Sequence, residues 1–334
     1  GFAWALSSLG AELPSGSLDR LMLTGIGSNV YEVDLSKAGF NDEAIQALGT
    51  VIAALKQSQA YAMNNYIEMG RFVMLTLNSS YHYYKITGAS ETLMDFRSKH
   101  KFGNSKMRVI NSGVSNIDRL IEIADADKVE EIAYLATEGS GSFEEGTFLA
   151  EEFEVFDFMS NGQLRFGIYD KAGNLKAAAD PSITQAGKPS KCLWCHETNI
   201  QPFFTNNPVL IGADYLSKQQ FMEILNVQNQ YLAHYRDTLK SEVNFSNLQD
   251  HRFLEYLYID FMEPSLERIA QEWNMDVDEA ADILEGIPTH TQLEYNIKNV
   301  YHRKDIDHLA PYATIEVPES ARELSKHEPN FFVF

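Results

Sequence analysis

The spacing of apolar residues predicts a chain that is helical towards both ends and extended in the middle. Val30-Tyr31-Glu32-Val33-Asp34-Leu35 alternates apolar and polar positions, the period of a short strand. From Asn41 the period lengthens: Ile45, Leu48, Ile52 and Leu55 recur every three or four positions and give one apolar side to a helix. Asn41 suits the cap of that helix, and Asp42 and Glu43 suit the positive end of its dipole. A second, well-buried helix is expected from about 63 to 79, with Met69, Phe72, Leu75 and Leu77 around it. Shorter helices are expected near 90–99, 115–124 and 127–137.

Residues 137–142, Thr-Glu-Gly-Ser-Gly-Ser, read as a loop. Beyond them Phe153, Val155, Phe156 and Phe158 precede Ser160-Asn161-Gly162, and Leu164, Phe166 and Ile168 alternate after it. Asn-Gly between such runs predicts a β-hairpin. A turn at 170–174 leads to a third short strand, and a loop with Pro181, Gly187 and Pro189 follows. Helices return at 217–240, where Phe221, Leu225, Gln228, Leu232 and Tyr235 form one stripe, and at 247–262, before Pro264. Another starts at Asp276, with Glu279 in capping-box spacing, and ends at Gly286.

The expected class is α+β, predominantly helical. Residues 1–142 form a mainly helical N-terminal region, 143–210 a small antiparallel β-hairpin region, and 211–334 a helical C-terminal region, together one compact two-lobed unit.

The formal net charge is −20, so nucleic acid and anionic membranes are poor partners, whereas a basic redox protein is a good one. The helix-turn-helix-like stretch 265–284 carries Asp276, Asp278, Glu279 and Asp282 and reads as a packing unit. No run of about 18 apolar residues is present, so no transmembrane helix is expected. Residues 1–6 lack the basic-then-apolar order of an intact signal peptide, which fits a mature or trimmed chain. Glu144, Glu145, Glu151 and Glu152 read as a solvated strand entry rather than a calcium site.

Two cysteines occur, both in Lys191-Cys192-Leu193-Trp194-Cys195-His196. The spacing C-x-x-C-H suits covalent haem: two thiols add to the two vinyl groups, and the adjacent imidazole ligates iron. A redox-active disulfide would want a βαβ context, and a zinc site would want further soft ligands. The segment resembles the attachment motif of the c-type cytochromes, over about five residues. The resemblance implies one haem c per chain, Cys192 and Cys195 as thioether positions, His196 as proximal ligand, and assembly in the periplasm or at the cell surface. The aromatic β-hairpins just before the motif give a weaker resemblance, being similar in arrangement to cytochrome P460-like and haem-sensor domains, where a β-rich body leads into C-x-x-C-H.

The second axial position decides the chemistry, because two strong ligands favour electron transfer and an open face favours ligand binding. His234, on the long helix after the motif, is the first candidate distal ligand; His82, among Tyr81, Tyr83 and Tyr84, is the second; His251 is the third. Met222 and Met262 read as core filler, and Trp194 as a packing residue. His196 is expected to donate its other ring nitrogen to a backbone carbonyl near Pro202. The expected function is electron transfer by a monohaem c-type cytochrome. The alternative is a peroxidase-, oxidase- or P460-like haem enzyme, or a haem sensor, with an open distal site. No oligomeric state is expected from the sequence.

Overall fold

The computed structural model describes residues 1–17, 22–25, 30–202, 204–206, 215–245, 248–309, 316–326 and 328–332, and within them the chain is α+β. It opens with helix α1 (Phe2–Ser8), a two-stranded antiparallel ribbon of β1 (Met22–Gly25) and β2 (Tyr31–Val33), and helix α2 (Asp42–Lys56). Asn41 Oδ1 accepts from Ala44 N at 2.8 Å, the cap read from the sequence. The helix expected over 63–79 is instead two, α3 (Gln59–Asn64) and α4 (Met69–Thr76). Asn65 turns left-handed (φ 57°) to close α3, and the Glu68 carboxylate accepts from Arg71 N to begin α4. Helices α5 (Ser80–Thr87) and α6 (Leu93–Lys99) follow.

The small hairpin region of the sequence reading is in fact a six-stranded antiparallel sheet. Its strands are β3 (Phe102–Ser112), β4 (Arg119–Ala124), β5 (Tyr134–Ser140), β6 (Leu149–Phe158), β7 (Leu164–Asp170) and β8 (Phe204–Asn206), in the order β7-β6-β5-β4-β3-β8. The sheet crosses position 142, and residues 115–124 and 127–137, expected as helices, contribute β4 and part of β5 in place of α-helix. Runs of six or seven residues carry too few turns to separate a buried strand from a helix by period, and pairing on both sides decides for strand.

Gly139 was a loop signal for a different reason from the one assigned. It sits at a register shift inside β5, where an added Cβ would meet the Leu149 carbonyl oxygen at 1.8 Å. The glycine admits a neighbouring backbone rather than ending the strand. The Asn161–Gly162 hairpin does join β6 to β7, with Gly162 at φ 78°. The expected third strand is a single bridge between Tyr169 and Leu175.

Alternation along the strands gives the sheet two apolar faces. Val109, Ile121, Tyr134, Phe156 and Phe166 join the main core, into which α7 (Pro189–His196) and α8 (Lys218–Leu239) also pack. Leu135, Val155 and Tyr169 face the other way, against Phe96 of α6. Ser217 and Gln220 form a reciprocal capping box at the start of α8, and Phe221, Leu225, Gln228 and Leu232 are its buried stripe.

Helix α9 (Leu248–Met262) returns across α4. Helices α10 (Leu266–Trp273), α11 (Val277–Ile283) and α12 (Arg303–Ile306), with the hairpin of β9 (His290–Gln292) and β10 (Ile297–Val300), enclose a small core of Ile269, Trp273, Leu284 and Ile306. Asp276 is the N-cap residue of α11 but makes no side-chain cap bond. No helix among the described residues is long and apolar enough to cross a membrane.

Candidate functional site

Helix α7 carries the whole C-x-x-C-H segment. Pro189 occupies its first turn, where a missing N–H costs nothing. The start of the helix is pinned by the C-terminal segment: buried Lys188 pairs with Glu328 at 2.6 Å, and the Ser190 hydroxyl lies 2.6 Å from Asn78 Oδ1 and 2.7 Å from the Ala321 carbonyl. Trp194 stacks on Tyr258, with centroids 6.0 Å apart, and carries the Arg322 guanidinium 3.3 Å from its ring. It is a packing residue, and its neighbours fix the roll of the helix.

The chain leaves His196 through two consecutive left-handed residues, Glu197 (φ 47°) and Thr198 (φ 70°). Neither is glycine, and such conformations cost about 1–2 kcal/mol per residue. Surrounding bonds hold them. Asn199 N and Gln201 Nε2 both donate to the His196 carbonyl, at 2.8 and 3.0 Å, and half-buried Arg236 donates to the Thr198 carbonyl at 2.5 Å.

Cys192, Cys195 and His196 line a cleft between α7, α8 and the sheet, with a cavity volume of about 310 Å³. This is within the range of about 300–1,000 Å³ usual for small-molecule and cofactor pockets. Its walls are largely apolar, with Ile121, Phe156, Phe166 and Ile168 from the sheet and Phe221 and Leu225 from α8. The His196 ring packs on Phe156 and Phe166 at 5.6 and 5.4 Å. Burial pulls its pKa down to about 4, opposed by a backbone hydrogen bond with Asn199, so the imidazole is neutral at pH 7. The bond expected from the other ring nitrogen to a carbonyl near Pro202 is not formed among the described residues, where His196 Nδ1 is buried without a hydrogen-bond partner.

Both thiols are free. Burial, with Glu154 as the next cause, pushes the Cys192 thiol well up, and burial also raises Cys195. A disulfide-exchange nucleophile needs the opposite shift. The motif also sits at the C-terminal, negative end of its helix, which disfavours thiolate. An apolar cleft, two neutral thiols and a neutral imidazole on one lining fit a porphyrin that adds thiols and takes a nitrogen ligand. A zinc site fits poorly, since it would need thiolates and further soft donors.

One end of the cleft is polar. Arg119 (β4) and Glu154 (β6) line it. Antiparallel register sets Arg119 opposite Glu138 and Glu138 opposite Glu152, while Glu154 is two residues from both Glu152 and Phe156 on the same face. Carboxylate oxygens of Glu138, Glu152 and Glu154 lie within 4.8 Å of one another. Arg119 pairs with Glu138 at 2.7 Å, and Lys176 pairs with Glu152 at 2.7 Å. Burial, then the Glu138 charge, holds Glu154 protonated well above the usual carboxyl range. Burial likewise raises Glu138, against the pull of Arg119. Glu152, read from the sequence as part of a solvated strand entry, is 1% exposed, whereas Glu144 and Glu145 face solvent.

The candidate distal ligands are not brought to the cleft. His234 lies on the exposed side of α8, since the stripe that turns Leu232 inwards turns position 234 outwards. His82 is fully buried in α5, with both ring nitrogens bonded: Nδ1 lies 2.5 Å from the Leu75 carbonyl and Nε2 accepts from Phe331 N at 2.9 Å. Met222 and Met262 pack against the main core. The side chain of His251 lies outside the described residues. Sequence reasoning missed Arg119, Glu138 and Glu154. The signal for Glu154 was present, because 154, 156 and 158 share one face of a strand whose other members are aromatic.

No protein-family model, no curated protein and no solved structure matches this chain, so the cleft itself carries the functional reading.

Proposed function

We propose that the chain is a c-type haem protein whose cofactor would occupy this cleft, with Cys192 and Cys195 forming the thioethers, His196 ligating the iron, and a small molecule able to reach it. Bound haem supplies a redox-active iron that a small ligand can reach. The chain's own part is to hold the imidazole neutral and oriented, to exclude water with the aromatic walls, and to offer polar groups at one end. The observation that carries the reading is the make-up of the lining. Among the described residues of the cleft, His196 is the one imidazole, and no methionine is present. An open site favours ligand binding or oxidoreductase chemistry over simple shuttling.

Electron transfer is the second reading. Cys195 is exposed, so a group attached there has an edge near the surface, and the net charge of −20 suits a basic redox partner. Either reading implies assembly outside the cytoplasm.

The test is production of the chain in a host that exports it and attaches haem c, followed by intact mass and absorption spectra. The expected results are one porphyrin mass on the wild-type chain, none on the Cys192→Ala/Cys195→Ala double variant, and a ferrous spectrum that shifts on adding carbon monoxide. A carbon monoxide-insensitive low-spin spectrum would select electron transfer. No porphyrin mass, or Cys192 and Cys195 joined to each other, would remove both readings.

A further inference from the structure

The polar end of the cleft is built from strands that otherwise present apolar side chains, and its atoms are incompletely used. Arg119 is 7% exposed; its terminal nitrogen pairs with Glu138 and lies 3.4 Å from Thr184 Oγ1, but its buried Nε–H has no hydrogen-bond partner. Buried Glu154 Oε1 also has none. A buried donor and a buried carboxyl oxygen left open on one cleft lining each carry a desolvation penalty that a bound ligand would relieve.

Charge sets the protonation of the group. The carboxyls of Glu138, Glu152 and Glu154 face two cations, Arg119 and Lys176. Lys191, also on the lining, is taken by Glu323 and the Gln185 carbonyl. Asp180 contributes its backbone N–H to Glu152, and the Cys192 thiol, raised by burial, feels the Glu154 and Glu138 charges. Two carboxylates are therefore balanced and the third is an acid. Glu154 is that acid, held protonated by burial and the Glu138 charge, and its carboxyl lies within 4.8 Å of the Glu138 carboxyl. Buried carboxyls this close share a proton instead of both ionising.

We propose that Glu154 and Glu138 form a proton relay serving a small protic weak acid, of the hydroperoxide class, bound at this end of the cleft, with Arg119 holding the anion that remains. The ligand's O–H bond breaks and its proton joins Glu154 Oε1. The proton already on the other Glu154 oxygen passes to the Glu138 carboxylate. The electron pair stays on the ligand oxygen, facing Arg119 Nε–H. One proton moves from ligand to Glu138, and Glu154 ends as it began, a neutral acid.

The proposal rests on the haem reading for its cleft and its optical signal, and the experiment separates the two. Hydrogen cyanide, a weak acid that must lose its proton on binding, is the probe. Its association with the ferric, porphyrin-bearing protein is followed by absorbance at neutral pH. Glu154→Gln, which keeps shape and a donor but cannot relay, is expected to slow association about 100-fold. Glu151→Gln, on the same strand but facing away towards Lys171, is the unchanged control. Infrared difference spectra of the wild type are expected to show the C=O stretch of a protonated carboxyl at pH 7 that Glu154→Gln removes. Porphyrin attached with cyanide association unchanged in Glu154→Gln, or no protonated carboxyl band in the wild type, overturns the relay and leaves the haem reading intact. A wild-type chain without porphyrin overturns both.

Discussion

His82 and Phe331 face each other ring to ring at 4.6 Å, and the Phe331 N–H donates to His82 Nε2 at 2.9 Å. With Nδ1 against the Leu75 carbonyl, the neutral tautomer is fixed, and His82 latches the C-terminal segment that also clamps the start of α7. Burial pulls its pKa down to about 4 from 6.5. An unfolded histidine binds its proton first, so stability is complete above about pH 6.5 and falls as pH drops towards 4, by about 3 kcal/mol. Urea unfolding across that window is expected to show the slope, and His82→Phe to reduce it. A slope identical in the variant would assign it to other groups.

Two guanidiniums lie over the Phe261 ring, Arg71 at 5.0 Å and Arg303 at 4.1 Å from its centroid, and both cations bond buried Glu272. This joins α4 to the small C-terminal core. Removing one partner strands a buried charge, so Arg71→Met is expected to cost about 3–5 kcal/mol in chemical denaturation. A loss under about 1 kcal/mol would show that water reaches the site.

Burial opposes Glu272 ionisation, but Arg303 and Arg71 overcome it and hold its pKa at about 2. A carboxyl lowered from 4.5 contributes stability that is complete above about pH 4.5 and is lost as pH falls through 2. The contribution is about 3 kcal/mol. The same denaturation series run from pH 5 to 2 is expected to steepen in the wild type and to flatten in Glu272→Gln.

Among the described residues Arg236 has no carboxylate partner. It donates to the carbonyls of Gly162 and Thr198, at 2.7 and 2.5 Å, and lies 4.2 Å from the Phe245 ring centroid. It ties α8 and the β6–β7 turn to the strained backbone after His196. Arg236→Met is expected to cost about 1–3 kcal/mol by leaving buried carbonyls unpaired. If the turn orients the imidazole, the cofactor spectrum of this variant should also change, which a purely remote packing role would not produce.

His234→Ala is expected to leave porphyrin attachment, spectrum and carbon monoxide response unchanged, because the side chain faces away from the cleft. A shift to a high-spin spectrum would restore His234 as an iron ligand and refute the open site.

How far the sequence reached differs by element. Asn41 and Ser217 cap through contacts within a few residues, and the Asn161–Gly162 turn is set by its own backbone conformation, so the helix starts and the hairpin were legible from order alone. The stripe Phe221, Leu225, Gln228, Leu232 was legible because a long helix repeats its period many times. Strands β4 and β5 were not, because six and seven residues repeat a period too few times and pairing with neighbouring strands decides their conformation. The same holds for Gly139, whose reason is the Leu149 backbone across the ladder.

By itself the sequence determined the chemistry on offer: two thiols, an adjoining imidazole and their spacing, all local. Only the tertiary structure decided what shares a space with them. It turned His234 outwards, sealed His82 into a latch, and brought Arg119 and Glu154 from two strands to one cleft, with Glu138 of a third beside them. Those placements depend on strand register and side-chain burial, which arise when distant segments pack and have no counterpart in the order of residues alone.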